Sequence, residues 1–142
     1  MNFNPDNKVV QLCAEGMELE GQGNLAEASI SFKQAWDVAA TDFEKFTAAH
    51  YVARHQKTVA DKLKWDQIAL VHALNTGEEN IREALPSLYL NIGKCYEDLC
   101  DFDKAASNYR AALTYASYLP DDGYGRMVKA GIDKGLARTA NR

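Results

Sequence analysis

A chain of 142 residues, 46% of them hydrophobic, is long enough to bury a core and reads as one domain, 1–142. Its formal charge of −4 and pI near 5.3 argue against a general nucleic-acid binder, whose phosphate contacts call for a basic face. Near Met1 no basic segment precedes an apolar run, and no stretch approaches the roughly 18 apolar residues of a membrane span, so a cytoplasmic protein with no membrane contact is expected.

Prolines stand only at positions 5, 86 and 120, and no alternating apolar and polar run suggests a sheet, so the predicted fold is all-α. The first helix is predicted from about Asn7 to Glu20, and "GQGN" separates it from a second, about Leu25 to Ala40. Thr41 and Asp42 can cap the third, whose apolar face takes in Phe43, Phe46, Ala49 and Val52 and which should end near Gln56 or Lys57. A fourth, about Ala60 to Asn75, is expected to bury Leu63, Trp65, Ile68, Ala69 and Leu74, with Gly77 as its C-terminal cap. Helices five and six should span about 81–100 and 102–118. Pro86 belongs in the first turn of helix five or at its true start, because an interior proline costs about 3 kcal/mol. "LPDDG" at 119–123 breaks the chain before a last helix, Tyr124 to about Thr139.

Two of these helix pairs share a spacing. Gly16 is followed by Leu19, Leu25, Ala28, Phe32 and Ala35, and Gly93 by Tyr96, Phe102, Ala105, Tyr109 and Ala112. Small residues let paired helices approach closely, and the aromatics fill the space between one pair and the next. On these residues the chain resembles the tetratricopeptide repeats, helix–turn–helix units of about 34 residues. The stretch "LYLNIGKCYEDLCDFDKAASNYRAAL" resembles the family pattern at Tyr89, Ile92, Gly93, Tyr96, Phe102, Ala105, Tyr109 and Ala112. The first repeat departs from it at Glu15, where an apolar residue is usual, and at Leu12, which replaces a larger aromatic. Ala28 and Ala105 are 77 positions apart, so the middle region carries about nine residues beyond two repeat periods, expected in longer helices and a longer connection near 57–62.

The resemblance implies a right-handed superhelix of three antiparallel helix pairs, at about 8–40, 42–76 (divergent and extended) and 81–118, closed by a capping helix at 124–139. The whole chain is also similar to small bacterial proteins of this repeat type, a group without an assigned activity. Inward-facing positions carried over from the family are Val10, Cys13, Met17 and Glu20 in the first repeat. In the third they are Leu90, Asn91, Lys94, Glu97 and Asp98, and in the middle one His50, Tyr51, Arg54 and His55 are candidates. Such a concave groove would be apolar at one end and charged at the other. Asn91 matches one position of the family's carboxylate clamp, but Cys13 and Ser87 fill the clamp's lysine positions, which speaks against that device. Val10 and Met17 could instead meet the N-terminal tail through Phe3.

Catalysis, a metal and a cofactor are not expected. His50 and His55 are five apart, off a common helical face, and no H-E-x-x-H occurs. "GMELEGQG" and "GYGRMVKAG" lack the preceding strand of a phosphate-binding or S-adenosylmethionine-binding loop. Cys13, Cys95 and Cys100 lack C-x-x-C spacing and read as small buried hydrophobes, and Trp36 and Trp65 as packing. Arg126, Lys129, Lys134, Arg138 and Arg142 make the last helix basic, which reads as a solvated face. The expected role is a non-catalytic adaptor or scaffold holding an unidentified protein or peptide in the groove. The alternatives are a structural homodimer or larger homo-oligomer and, ranked lower, an accessory subunit of an RNA-modifying enzyme such as a methyltransferase.

Overall fold

The turn closing the first helix shows how local chemistry sets the architecture. Helix α1 (Lys8–Gly21) starts where Asn7 accepts from the backbone N–H groups of Val9 and Val10 at 2.8 and 3.2 Å. It ends in a Schellman turn: Gly23 N–H donates to Glu20 O at 3.0 Å and Asn24 N–H to Leu19 O at 2.9 Å, with Gly23 at φ +80°. Helix α2 (Leu25–Val38) follows at once, so α1 and α2 form a tight hairpin. The same turn recurs between α5 (Leu85–Asp98) and α6 (Phe102–Thr114): Cys100 N–H donates to Glu97 O at 3.0 Å and Asp101 N–H to Tyr96 O at 2.9 Å. Here Cys100, at φ +63°, stands where the first hairpin has glycine.

The structure is a computed structural model that describes residues 4–142, so the expectation for Phe3 lies outside the described residues. Among those residues there are seven α-helices and no strand, an all-α fold. Helix α3 (Asp42–Ala53) begins at a capping box, Thr41 accepting from Glu44 N–H at 3.1 Å while Glu44 accepts from Thr41 N–H at 3.1 Å. Thr58 caps α4 (Val59–Asn75) through Asp61 N–H. The last helix, α7 (Gly123–Thr139), is capped by Asp122 through Gly125 N–H at 2.8 Å.

Several boundaries differ from the sequence expectation. Helix α3 stops at Ala53, short of Gln56, because its capping N–H groups close on Tyr51 and Val52. Only five residues, 54–58, join it to α4, so the middle region's extra length is not concentrated near 57–62. It lies instead in α4, 17 residues against 14 for α1, and in the connection after Asn75, which contains a 3-10 turn at Glu79–Glu83. Helix α5 starts after that turn, with Pro86 in its first turn, where its missing N–H has no helical acceptor to lose. Helix α6 ends at Thr114, and Ala116–Tyr118 tightens into a further 3-10 turn. On α4, Leu74 is 49% exposed rather than buried, while Asp66 and Ala73 face inward. Cys13 and Cys95 are buried, but Cys100 is exposed, as its place in the turn requires.

Contacts divide the chain into two compact units, one ending at Thr76 and the other Gly77–Arg142. In the first, α1 pairs with α2 and α3 with α4, and α3 also packs on α1 and α2. Its core holds Val9, Leu12, Ala28, Phe32, Ala35, Ala48 and Val52. Trp36 and Trp65 meet edge to face at 5.1 Å beside it. In the second, α5 pairs with α6, and α7 packs on both around Ala112, Val128 and Ile132.

Each unit centres on one buried ring. Phe32 lies against Gly16, where a β-carbon would stand 2.7 Å from its Cζ, and stacks on Tyr51 at 5.0 Å with an interplanar angle of 11°. Tyr109 is held between Gly93 and Gly135, where β-carbons would stand 2.8 and 2.6 Å from its ring. The glycines are therefore steric requirements: the ring occupies the volume a side chain would need.

Candidate functional site

Helices α1 and α3 of the first unit border an apolar cleft of about 220 Å³. Val10, Cys13, Ala14 and Met17 come from α1, and Thr47 and Tyr51 from α3. These positions fall at spacings of three and four, so each helix offers a single stripe to the cleft. Four of the six, Val10, Cys13, Met17 and Tyr51, are sequence-predicted groove residues that the structure brings together. Ala14 and Thr47 were not singled out, although Thr47 stands four residues before Tyr51 and so shares its face.

The lining offers little hydrogen-bonding capacity. Thr47 donates its hydroxyl to Phe43 O at 2.8 Å. Burial pushes the Cys13 thiol up to about 12, leaving it an un-ionised apolar group at neutral pH. Burial likewise raises the Tyr51 phenol above its ordinary value. Met17 leaves 47% of its surface exposed at the cleft.

Polar clusters close both ends. One turn before Val10 and Thr47, Asn7 donates to Glu44 Oε2 at 2.8 Å, and Glu44 Oε1 accepts from Ala40 and Thr41 N–H at 2.9 and 3.1 Å. Those bonds, the Ala40 N–H foremost, hold the Glu44 carboxyl below its usual range. One turn beyond Met17 and Tyr51, Glu20 Oε1 accepts from Arg54 at 3.1 Å and Glu20 Oε2 lies 2.7 Å from His55 Nε2. The Arg54 guanidinium also sits 5.2 Å from the Tyr51 ring centroid. Thus the groove candidates Arg54 and His55 both meet the candidate Glu20, a grouping the sequence reading did not foresee.

His50 does not line the cleft. Its ring meets Tyr51 edge-on at 5.3 Å and its Nδ1 is buried without a hydrogen-bond partner. Burial, helped by the Arg54 and Lys62 charges, lowers its pKa to about 4, so it is neutral.

The remaining sequence candidates lie in the second unit on α5. Leu90 packs toward Gly131 of α7, where a β-carbon would be 3.0 Å from Leu90 Cδ2. Asn91 is half-buried, and Lys94 and Asp98 pair with each other at 2.8 Å. Glu97 accepts from Arg138 Nε and Nη2 at 2.8 and 3.1 Å and from the Tyr109 hydroxyl at 2.7 Å. The Arg138 bond is the main reason its carboxyl stays below the usual range. Sequence reasoning missed this latch and its counterpart. In both hairpins a glutamate stands four residues after the packing glycine, Gly16–Glu20 and Gly93–Glu97, and each binds an arginine from outside its hairpin, Arg54 just past the end of α3 and Arg138 on α7. The repeated G-x-x-x-E was the available signal.

Among the described residues no cluster of histidine, cysteine, aspartate or glutamate is placed to hold a metal ion, and no helix is long and apolar enough to cross a membrane. Of the cations on α7, Arg126, Lys129 and Arg138 are paired with Asp121, Asp133 and Glu97. No family model, curated protein or solved structure matches the chain.

Proposed function

We propose that the chain is a non-catalytic interaction module of tetratricopeptide type, three helix pairs and a closing helix, that takes a protein or peptide segment in the α1–α3 cleft. The observation that carries the reading is the apolar cleft itself, open at Met17 and poor in groups that would orient a small polar ligand. At about 220 Å³ it falls below the roughly 300–1,000 Å³ of small-molecule sites and has the character of a single side-chain anchor. The repeat reading is supported by the matching Schellman turns, by the Gly16/Phe32 and Gly93/Tyr109 contacts, and by Asp66, Leu70 and Ala73 of α4, which repeat the spacing of Ala28, Phe32 and Ala35. The non-catalytic reading is supported by the cleft lining, where burial keeps the Cys13 thiol un-ionised and the Thr47 hydroxyl donates to Phe43 O, so neither is set up as a nucleophile.

Selection of a random peptide display library on the full chain tests this. Enrichment of sequences with a large apolar residue is expected, together with its loss on Ala14→Trp, which fills the cleft from an exposed position outside the core. Equal enrichment on wild type and Ala14→Trp, with both chains equally helical, would contradict it.

A further inference from the structure

The charges around the cleft are not equally available. At the α1 N-terminal end both Glu44 oxygens are engaged, Oε1 by Ala40 and Thr41 N–H and Oε2 by Asn7. At the other end both Glu20 oxygens are engaged, Oε1 by Arg54 and Oε2 by His55, and its side chain is only 18% exposed. Each oxygen of the two carboxylates is thus already engaged by a group of the protein. Arg54 differs: its side chain is 46% exposed, it spends Nη2 on Glu20, and its Nε and Nη1 are without partners among the described residues. Its guanidinium is held in place from two sides, by Glu20 and by the Tyr51 ring 5.2 Å away, and Tyr51 is itself a wall of the cleft.

We infer that the cleft recognises a partner segment in which a large aliphatic or aromatic side chain fills the space between α1 and α3 and a carboxylate one or two residues away pairs with Arg54. The spacing follows from reach. A carboxylate hydrogen-bonded to a guanidinium that sits over a cleft wall lies within roughly 7 Å of the anchored side chain, two residues of extended chain at about 3.3 Å each. The anchor supplies burial, and the acid supplies direction, since the unengaged N–H groups of a planar guanidinium donate to a carboxylate in fixed directions. The inference rests on the interaction-module reading and names the chemistry of the partner it would take.

The test uses the random peptide display library and the full chain, with the most enriched clone synthesised twice, once as selected and once with its acid changed to the amide. Fluorescence polarisation on wild type should show the amide peptide binding about tenfold more weakly, with added salt narrowing the gap. On Arg54→Gln, whose helicity is checked by circular dichroism, the two peptides should bind alike. Binding abolished by Ala14→Trp but equal for acid and amide peptides on wild type would overturn the inference while leaving the interaction-module reading intact. An absence of peptide binding with concentration-dependent dimers in sedimentation, broken by Ala14→Trp, would make a second copy the occupant and overturn both. Peptide binding that appears only when residues 1–3 are removed would assign the cleft to the chain's own N-terminal segment and overturn the inference as well.

Discussion

Cys100 carries a left-handed backbone conformation in a turn whose twin uses Gly23. For an L-residue that conformation costs about 1–2 kcal/mol, partly offset because glycine loses about 0.5–1 kcal/mol more on ordering. Cys100→Gly should therefore stabilise the second unit by about 0.5–1 kcal/mol, read as a higher midpoint in urea. His50 predicts the opposite kind of effect. Its folded pKa, lowered to about 4 by burial and by the Arg54 and Lys62 charges, lies below the unfolded value near 6.5. As pH falls the unfolded chain binds a proton that the folded chain refuses, so stability is lost through that window, by about 2 kcal/mol between pH 7 and pH 5. The depressed carboxyls of Glu44 and Glu97 push in the same direction, but at lower pH. His50→Leu should flatten the loss between pH 7 and 5 in urea titrations; an unchanged slope would mean His50 is not the group responsible. Neither effect was legible in the sequence, because burial of a single nitrogen and the sign of φ depend on tertiary placement that spacing does not encode.

Elements were more legible. Periodicity located all seven helices, and the shared Gly, Ala and aromatic spacing pointed to close approach within α1–α2 and α5–α6. It set the aromatics between one pair and the next, whereas each ring also sits on the glycine of its own hairpin. What the spacing missed were helix ends, set by individual hydrogen bonds, and the two glutamate–arginine latches, whose partners are 34 and 41 residues apart. Tyr109 makes the second latch testable. Tyr109→Phe removes one hydrogen bond to Glu97 and recreates the ring found at Phe32, so a cost of about 1 kcal/mol is expected. Gly135→Ala drives a methyl into the same ring and should cost more, about 1–3 kcal/mol, because Tyr109 is confined on its other face by Gly93. Thermal melts of the two variants should show that order; equal or reversed shifts would mean the ring has room to move.

For the whole molecule, two compact units each with a core imply that either can hold its helices without the other. A fragment of residues 77–142 is near the size at which single cores become marginal. It should nonetheless be helical and melt cooperatively; a fragment without a melting transition would show that the second core depends on the first unit. The candidate site belongs to this scale in a limited way. The family resemblance set Val10, Cys13 and Met17 on an inward face and made Tyr51 a candidate in the middle region, and these four meet at the cleft. It also placed Leu90 and Glu97 on an open groove, whereas α7 packs on them, because a closing helix uses the same inward positions that a partner would.

The central claim is that the α1–α3 cleft receives a partner's side chain. The chain has three methionines, and Met17 borders the cleft while Met127, 65% exposed on α7, does not. With methionine methyl groups carbon-13 labelled, titration of an anchor-bearing peptide from the display selection should shift the Met17 methyl resonance in proportion to binding and leave Met127 still. Movement of Met127 with Met17 unchanged would place the interaction elsewhere and contradict the account.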